Sequence, residues 1–176
     1  MRVDEAADLA DARACLIAAV SEAGSDALSR FRRPLRSWIK GKSSPVSEAD
    51  IAADEILRNR LTTAHPGFGW LSEESEGGEP RQSARYVWIV DPIDGTRAFI
   101  DGRPDWSVSA ALVEDGRPVV AVLLAPAFDE LFVATKGREQ PSTVSRSRQP
   151  VVPGLMARAS PAASNKSKAW PRWPRS

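Results

Sequence analysis

The sequence YVWIVDPIDGTRAF, residues 86–99, carries an apolar run that stops at a short acidic turn. The run before Asp91 is rich in Val, Ile and aromatic residues, which is typical of a β-strand. Pro92 and Gly95 favour a turn directly after it. Asp91 and Asp94 stand three residues apart in this turn. A strand that brings two carboxylates to one tight turn predicts a place where both converge.

The chemistry of this turn suits a cation and a phosphate side by side. Two carboxylates and the intervening Ile93 carbonyl are oxygen donors of the kind that hard cations prefer. Gly95 allows close approach of the backbone, and the N–H groups of a helix that starts near Thr96 suit a phosphate. The alternative is that Asp-Pro-x-Asp-Gly is simply a stable turn, since each residue favours one. These six residues alone leave both interpretations open.

Two acidic clusters lie upstream of the turn. Glu73 and Glu74 follow the apolar run GFGWL, and Asp50 follows Ser47 by three residues. An adjacent Glu pair is often a charged surface loop, and an acid near a helix start often only interacts with the helix dipole. Taken singly, the Glu pair is explained as a surface loop and Asp50 as a helix-capping acid, with no functional role for either.

The first part of the chain has the spacing of two helices. Apolar residues recur at helical intervals from Asp4 to about Phe31. Ser47 is placed as the N-cap of a second helix that runs to about Thr62. Residues 32–46 are rich in bases, Gly, Ser and Pro, and they predict a loop or a loosely formed hairpin.

Short apolar runs separated by turn residues follow from residue 68 onward. We expect strands at 68–71, 86–90 and 131–135, and a hairpin that joins 106–113 to 118–126 through Gly116. Two helices followed by these strands predict an α+β fold, with the two N-terminal helices packed on a mainly antiparallel sheet.

Considered together, the clusters resemble the inositol monophosphatase superfamily. The resemblance covers residues 40–137 through KGKSSPVSEAD, WLSEES, WIVDPIDGTRAFI, PDWSVSAALV and DELFVATKG, in that order. It implies the N-terminal half of an α/β/α/β sandwich and a Mg²⁺-dependent phosphomonoesterase. The sequence looks at least as similar to the bacterial 3′(2′),5′-bisphosphate nucleotidase branch, which hydrolyses 3′-phosphoadenosine 5′-phosphate, as to enzymes that act on inositol monophosphate.

The resemblance also implies roles for individual residues. Those expected to bind metal are Glu73, Asp91, the Ile93 carbonyl and Asp94, with at least two Mg²⁺ positions in a complete site. Glu74 would support these ligands from behind. Thr96, hydrogen-bonded to Asp50, would orient or deprotonate a metal-bound water, and the N–H groups of Gly95 and Thr96 would hold phosphate oxygens. The lone histidine, His65, lies outside the matched clusters, so a phosphohistidine intermediate is not expected.

Composition sets the expected partners and compartment. No apolar run approaches the roughly 20 residues that span a bilayer, and the N-terminus MRVDEAADLADARACLIAAV is acidic where a signal peptide is basic. We therefore expect a cytoplasmic protein that acts on a small phosphorylated metabolite, with no nucleic-acid polymer and no membrane as partner. The resemblance adds the expectation of a homodimer.

The chain changes character near Gly137. Residues 138–176 carry eight basic side chains and one acidic one, together with six prolines and seven serines. This predicts a domain at 1–137 and a disordered basic tail at 138–176. Trp170 and Trp173 beside basic residues leave an alternative, the binding of nucleic acid or an anionic membrane.

Family members continue past this point with a glycine-rich turn and a second half that ends in a W-D-x-A-A-like motif. No aspartate follows Asp129 here, so the resemblance implies that a carboxylate for the second metal is absent and that the sheet keeps an uncovered apolar edge. Our hypothesis is that residues 138–176 arise from a frameshift or truncation, and that the chain is either an active phosphatase or a remnant that binds metal without turnover. Translation of the DNA in the other two frames tests it, since absence of the missing motifs there would reject it.

Overall fold

The computed structural model describes residues 3–41, 44–74 and 84–137. The tail predicted at 138–176 lies outside the described residues. Its disorder, and the frameshift hypothesis for it, therefore stay predictions.

Two helices form the N-terminal layer, as predicted. Helix α1 spans Val3–Arg30 and helix α2 spans Glu48–Ala64. Ser47 caps α2: its backbone N–H donates to the Asp50 carboxylate at 2.8 Å, and its side chain accepts from the Ala49 N–H at 3.3 Å. This reciprocal arrangement satisfies N–H groups that a helix start otherwise leaves unpaired. Among the described residues, no helix is both long and apolar enough to cross a membrane.

The segment between the helices contains a hairpin, one of the two forms that were predicted for it. Strand β1 (Ser37–Lys40) pairs antiparallel with strand β2 (Ser44–Ser47). Ser37 pairs with Ser47 directly before α2, and Lys40 pairs with Ser44 at the opposite end of the hairpin.

Within residues 84–137 and the end of 44–74, five further strands form one sheet in chain order. They are β3 (Gly69–Ser72), β4 (Tyr86–Asp94), β5 (Ser107–Glu114), β6 (Arg117–Ala125) and β7 (Glu130–Thr135). Among the strands of the described residues, only the pair β3–β4 is parallel, which confirms the prediction of a mainly antiparallel sheet. The short helix α3 (Thr96–Ile100) joins β4 to β5, and a single 3-10 turn (Pro126–Phe128) joins β6 to β7.

Strand β4 corrects one boundary of the sequence analysis. The strand was expected to end before Asp91, but it continues through Asp94, with a register shift against β5 between these two residues. Asp91 pairs with Ser109 and Asp94 pairs with Ser107. Pro92 has no N–H to donate to the ladder, so the chain bulges there. Both aspartates are thus held at the end of the sheet instead of on a free turn.

The sheet has one covered face and one open face within the described residues. On the covered face α1 and α2 pack over a row of fully buried side chains, Trp88, Leu112 and Val120. On the other face Ile89 pairs with Ala111 and remains 37% exposed, and no described helix packs over it. Within the described residues the sheet is thus uncovered on this face, and β7, which pairs with β6 alone, lies at one edge of the sheet.

Candidate active site

The parallel pair β3–β4 brings the acidic clusters together. Ser72, the last residue of β3, pairs with Val90, so the Glu73–Glu74 pair leaves β3 beside the point where β4 reaches Asp91. Parallel strands end at the same edge of a sheet, which is why clusters that are distant in sequence meet there. The structure thus places Glu73, Glu74 and Asp91 at one end of the sheet.

Thr96 and Asp50 are in direct contact. Thr96 Oγ1 lies 2.9 Å from Asp50 Oδ1, although the residues are 46 positions apart. The same hydroxyl oxygen lies 2.9 Å from the Ile93 carbonyl. A hydroxyl has one hydrogen, so it donates to only one of these oxygens at a time. The contact between Thr96 and Asp50 that the resemblance implies is present, and the Ile93 carbonyl lies next to it.

Asp50 is a buried carboxylate with fixed partners. It is only 2% exposed, and one of its oxygens accepts from both the N–H and the hydroxyl of Ser47. Burial raises the pKa of Asp50, while the hydrogen bonds from Ser47 and Thr96 oppose that rise. The helix cap therefore makes Asp50 a rigid acceptor for the Thr96 hydroxyl.

Asp91 lies at the centre of the negative charge. Burial, followed by the charges of Glu73, Asp94, Asp50 and Glu74, raises the pKa of Asp91 to about 7. Like charges that face one another penalise ionisation in this way. The fold therefore gathers five carboxyl groups into a region of strong negative potential.

These groups fit a hard divalent cation in chemistry and in charge. The donors are carboxylate and carbonyl oxygens, and Glu73 and Asp94 are exposed to solvent. Within residues 3–41, 44–74 and 84–137, no three His, Cys, Asp or Glu side chains stand close enough together to form a complete metal-binding group. The fit rests on the oxygen donors and on the repulsion that a cation would relieve.

The short helix predicted after the acidic turn is present. Gly95 precedes α3 with a φ of 91°, and a Cβ on it would lie 2.8 Å from the backbone carbonyl of Asp105. Only glycine fits there without strain. The role of the Gly95 and Thr96 N–H groups in holding phosphate stays a prediction.

Lys40 is a site residue that the sequence analysis missed. Its Nζ donates to the Glu73 carbonyl at 2.8 Å and lies 3.6 Å from Glu74 Oε2. The Glu74 side chain is only 7% exposed, so Lys40 neutralises a nearly buried acid. Lys40 opens the motif KGKSSPVSEAD, and this position was the available signal. Two further residues near the site were also missed. Asp54 lies one helical turn after Asp50, and Ser72 directly precedes Glu73.

Replacement of Lys40 tests this charge balance. We expect Lys40→Met to lower the free energy of unfolding by about 1 kcal/mol, because Glu74 is left without its cation while partial exposure of Lys40 screens the pair. Urea unfolding of the metal-free chain measures the loss. Lys136→Met, at an exposed position directly after β7, is the matched control. Equal unfolding midpoints for both variants would contradict the assigned role.

Comparison with known proteins adds independent evidence. A family model described as the inositol monophosphatase family matches residues 8–166. The inositol-1-monophosphatase of Rhizobium meliloti (strain 1021) is 40% identical over 124 residues, which are 69% of this chain and 46% of that protein. The 3′(2′),5′-bisphosphate nucleotidase CysQ of Escherichia coli (strain K12) is 37% identical over 107 residues, 60% of this chain and 44% of that protein.

Solved structures show the same fold. The crystal structure of extragenic suppressor protein suhB from Bartonella henselae superposes with a TM-score of 0.66 at 38% identity, over 70% of this chain and 48% of that one. The chain therefore spans about half the length of the curated relatives and of the solved structure that it matches.

Proposed function

Because this chain belongs to the inositol monophosphatase family, we propose that it is a Mg²⁺-dependent phosphomonoesterase of small phosphorylated metabolites. One observation carries the proposal. The Thr96 hydroxyl lies 2.9 Å from the buried Asp50 carboxylate, beside an Asp91 whose pKa four neighbouring carboxylates help to raise to about 7. A hydroxyl that is hydrogen-bonded to a buried carboxylate, next to a group of carboxylates that can bind cations, is suited to hydrolysis of a phosphate ester.

The cation positions follow from the oxygen donors. Glu73, Asp91 and the Ile93 carbonyl would hold one Mg²⁺, and Asp91 with Asp94 would contribute to a second position. Glu74, held by Lys40, would support them from the buried side. When bound, the ions would supply charge neutralisation for the phosphate and would lower the pKa of water.

The remaining steps belong to the protein. When Thr96 donates its hydrogen to Asp50, the lone pairs of its oxygen are free to accept from the attacking water and orient it. As the water oxygen bonds to phosphorus and the ester P–O bond breaks, the water proton passes to Thr96 while the Thr96 proton moves to Asp50. The leaving alcohol oxygen takes up a proton from solvent, and Asp50 later returns its proton to solvent. The backbone N–H groups of Gly95 and Thr96 would donate to the phosphate oxygens, whose charge increases in the transition state.

Substrate choice is tested by direct comparison. Relatives named for inositol monophosphate and for bisphosphate nucleotides are similarly identical to this chain, at 40% and 37%. Phosphate release by the full chain is measured with each substrate, with Mg²⁺ or with EDTA. We expect Mg²⁺-dependent release, greater from 3′-phosphoadenosine 5′-phosphate. Absence of both release and Mg²⁺ binding would reject the proposal.

A second function is favoured by the spacing of the metal-binding side chains. In the part of the chain that the structure describes, no three His, Cys, Asp or Glu side chains stand close enough together to form a complete metal-binding group. On this reading the chain binds one Mg²⁺ and has no turnover. Calorimetric titration with Mg²⁺ beside the phosphatase assay separates the two functions, because this one predicts binding heat without phosphate release.

The Thr96 hydroxyl provides a selective test of the proton path. We expect Thr96→Val to reduce phosphate release about 100-fold, in the range typical of lost acid–base catalysis, while Mg²⁺ affinity changes little. Thr96→Ser keeps the hydroxyl and should retain most of the activity. The assay compares kcat for both variants with wild type. Equal rates for Thr96→Val and Thr96→Ser would remove the hydroxyl from the mechanism.

A further inference from the structure

Ser72 and Asp54 form a hydrogen-bonded pair directly behind the Glu73–Glu74 pair. Ser72 ends β3, is 3% exposed, and its hydroxyl donates to Asp54 Oδ1 on α2. A hydroxyl in a core position is costly unless it is hydrogen-bonded. Ser72 therefore has a partner that fixes its rotamer and ties the end of β3 to α2.

The same hydroxyl oxygen holds the backbone of the acid pair. It accepts a hydrogen bond from the Glu74 N–H at 3.1 Å. The regular pairing of β3 with β4 ends at Ser72, and the Glu73 N–H reaches the Val90 carbonyl only at 3.4 Å. Beyond the sheet, the chain is thus held by a side chain, in a turn that Ser residues commonly form.

Two carboxylates on one face of helix α2 contact two different parts of the candidate site, Thr96 and the end of β3. Asp54 follows Asp50 by four residues, so the two carboxylates lie one turn apart on the same side of the helix. Asp50 contacts Thr96, while Asp54 contacts Ser72. The spacing of these two carboxylates therefore sets where the hydroxyl and the acid pair stand relative to each other.

The acid pair needs such restraint. Glu73 and Glu74 are adjacent acids that lie beside Asp91 at one end of the sheet, and Lys40 Nζ lies 3.6 Å from Glu74 Oε2. Like charges repel, so an unrestrained pair at the end of a strand would move apart toward solvent. A binding site is more effective when its ligands are held in advance by their supporting residues.

We propose that Asp54 and Ser72 are positioning residues that hold the Glu73–Glu74 pair ready for a divalent cation. The identity of the cation rests on the proposed function, whereas the positioning role rests on the hydrogen bonds of Ser72. Neither residue is expected to contact the cation itself.

Calorimetric titration of the full chain with Mg²⁺ gives the first test. Ser72→Ala and Asp54→Ala should each raise the Kd about 10-fold, as is usual when support of a metal ligand is lost. Asp54→Asn keeps an oxygen acceptor for Ser72 and should stay within about two-fold of wild type. Ser21→Ala, which removes a serine hydrogen bond to Ile17 within α1, is the matched control and should leave Kd unchanged.

Hydrogen exchange of the metal-free chain gives the second test and needs no cation. The Glu74 amide should exchange about 10-fold faster in Ser72→Ala than in wild type or Ser21→Ala. An unchanged rate overturns the positioning role, as does an Asp54→Asn variant that behaves like Asp54→Ala. If wild type binds no Mg²⁺, the proposed function fails, and the Glu74 exchange rate alone decides the role of Ser72.

Discussion

The substitution Asp91→Asn is expected to lower Mg²⁺ affinity at least about 100-fold and to bring phosphate release to background. Loss of residues that merely support a metal ligand already costs 10- to 100-fold, so loss of a ligand should cost more. Asp91 is also the group on which the charges of Glu73, Asp94, Asp50 and Glu74 act together. Calorimetry and the phosphatase assay measure the two effects on the same preparation.

A stability measurement separates this effect from unfolding. Asn is nearly isosteric with Asp and removes one charge from a crowded negative cluster, so metal-free Asp91→Asn should be at least as stable to urea as wild type. Asp26→Asn makes the same chemical change on α1, where Asp26 pairs with Arg30 away from the site. It should keep wild-type Mg²⁺ affinity. Wild-type phosphate release by Asp91→Asn would show that the cation site is assigned wrongly.

Local signals were sufficient to predict the elements and the main acidic residues. The cap at Ser47, the apolar runs and the hairpin turn at Gly116 each act over a few residues. Apart from the extension of β4 through Asp94, the predicted helices and strands appear within a few residues of their expected positions. The acid pair after β3 and the acidic turn after β4 meet because the two strands are parallel neighbours. Sequence spacing does not specify that pairing, and the family resemblance implied only that Glu73 and Asp91 share one metal position.

Features that depend on packing across the fold were not predictable in this way. Lys40 reaches Glu74 from a hairpin that lies 34 positions earlier, and Asp54 reaches Ser72 from a neighbouring helix. In the sequence each of these residues looks like an ordinary solvated side chain. The extension of β4 through Pro92 was hidden because Pro is a turn signal, whereas here it is accommodated by a bulge between Asp91 and Asp94.

The substitution Gly95→Ala is expected to destabilise the chain by about 3 kcal/mol and to abolish any phosphate release. The φ of 91° at Gly95 penalises an L residue, and the added methyl group would lie 2.8 Å from the Asp105 carbonyl, which is backbone and cannot rotate away. Relief of that contact must move α3, and Thr96 at its start would lose its geometry toward Asp50. Urea unfolding measures the stability loss.

Gly116→Ala separates the cost of a positive φ from the cost of the steric clash at Gly95. Gly116 has a φ of 77°, but a Cβ there has no neighbour within 4 Å. The free energy of unfolding of this variant should therefore fall by only about 1 kcal/mol, the cost of a left-handed backbone conformation for an L residue. Its Mg²⁺ affinity should equal that of wild type. The difference between the two variants isolates the close approach of Gly95 to the Asp105 backbone. If Gly95→Ala is no less stable than Gly116→Ala, that approach does not constrain the start of α3, and the position of Thr96 must be set by the Asp50 hydrogen bond instead.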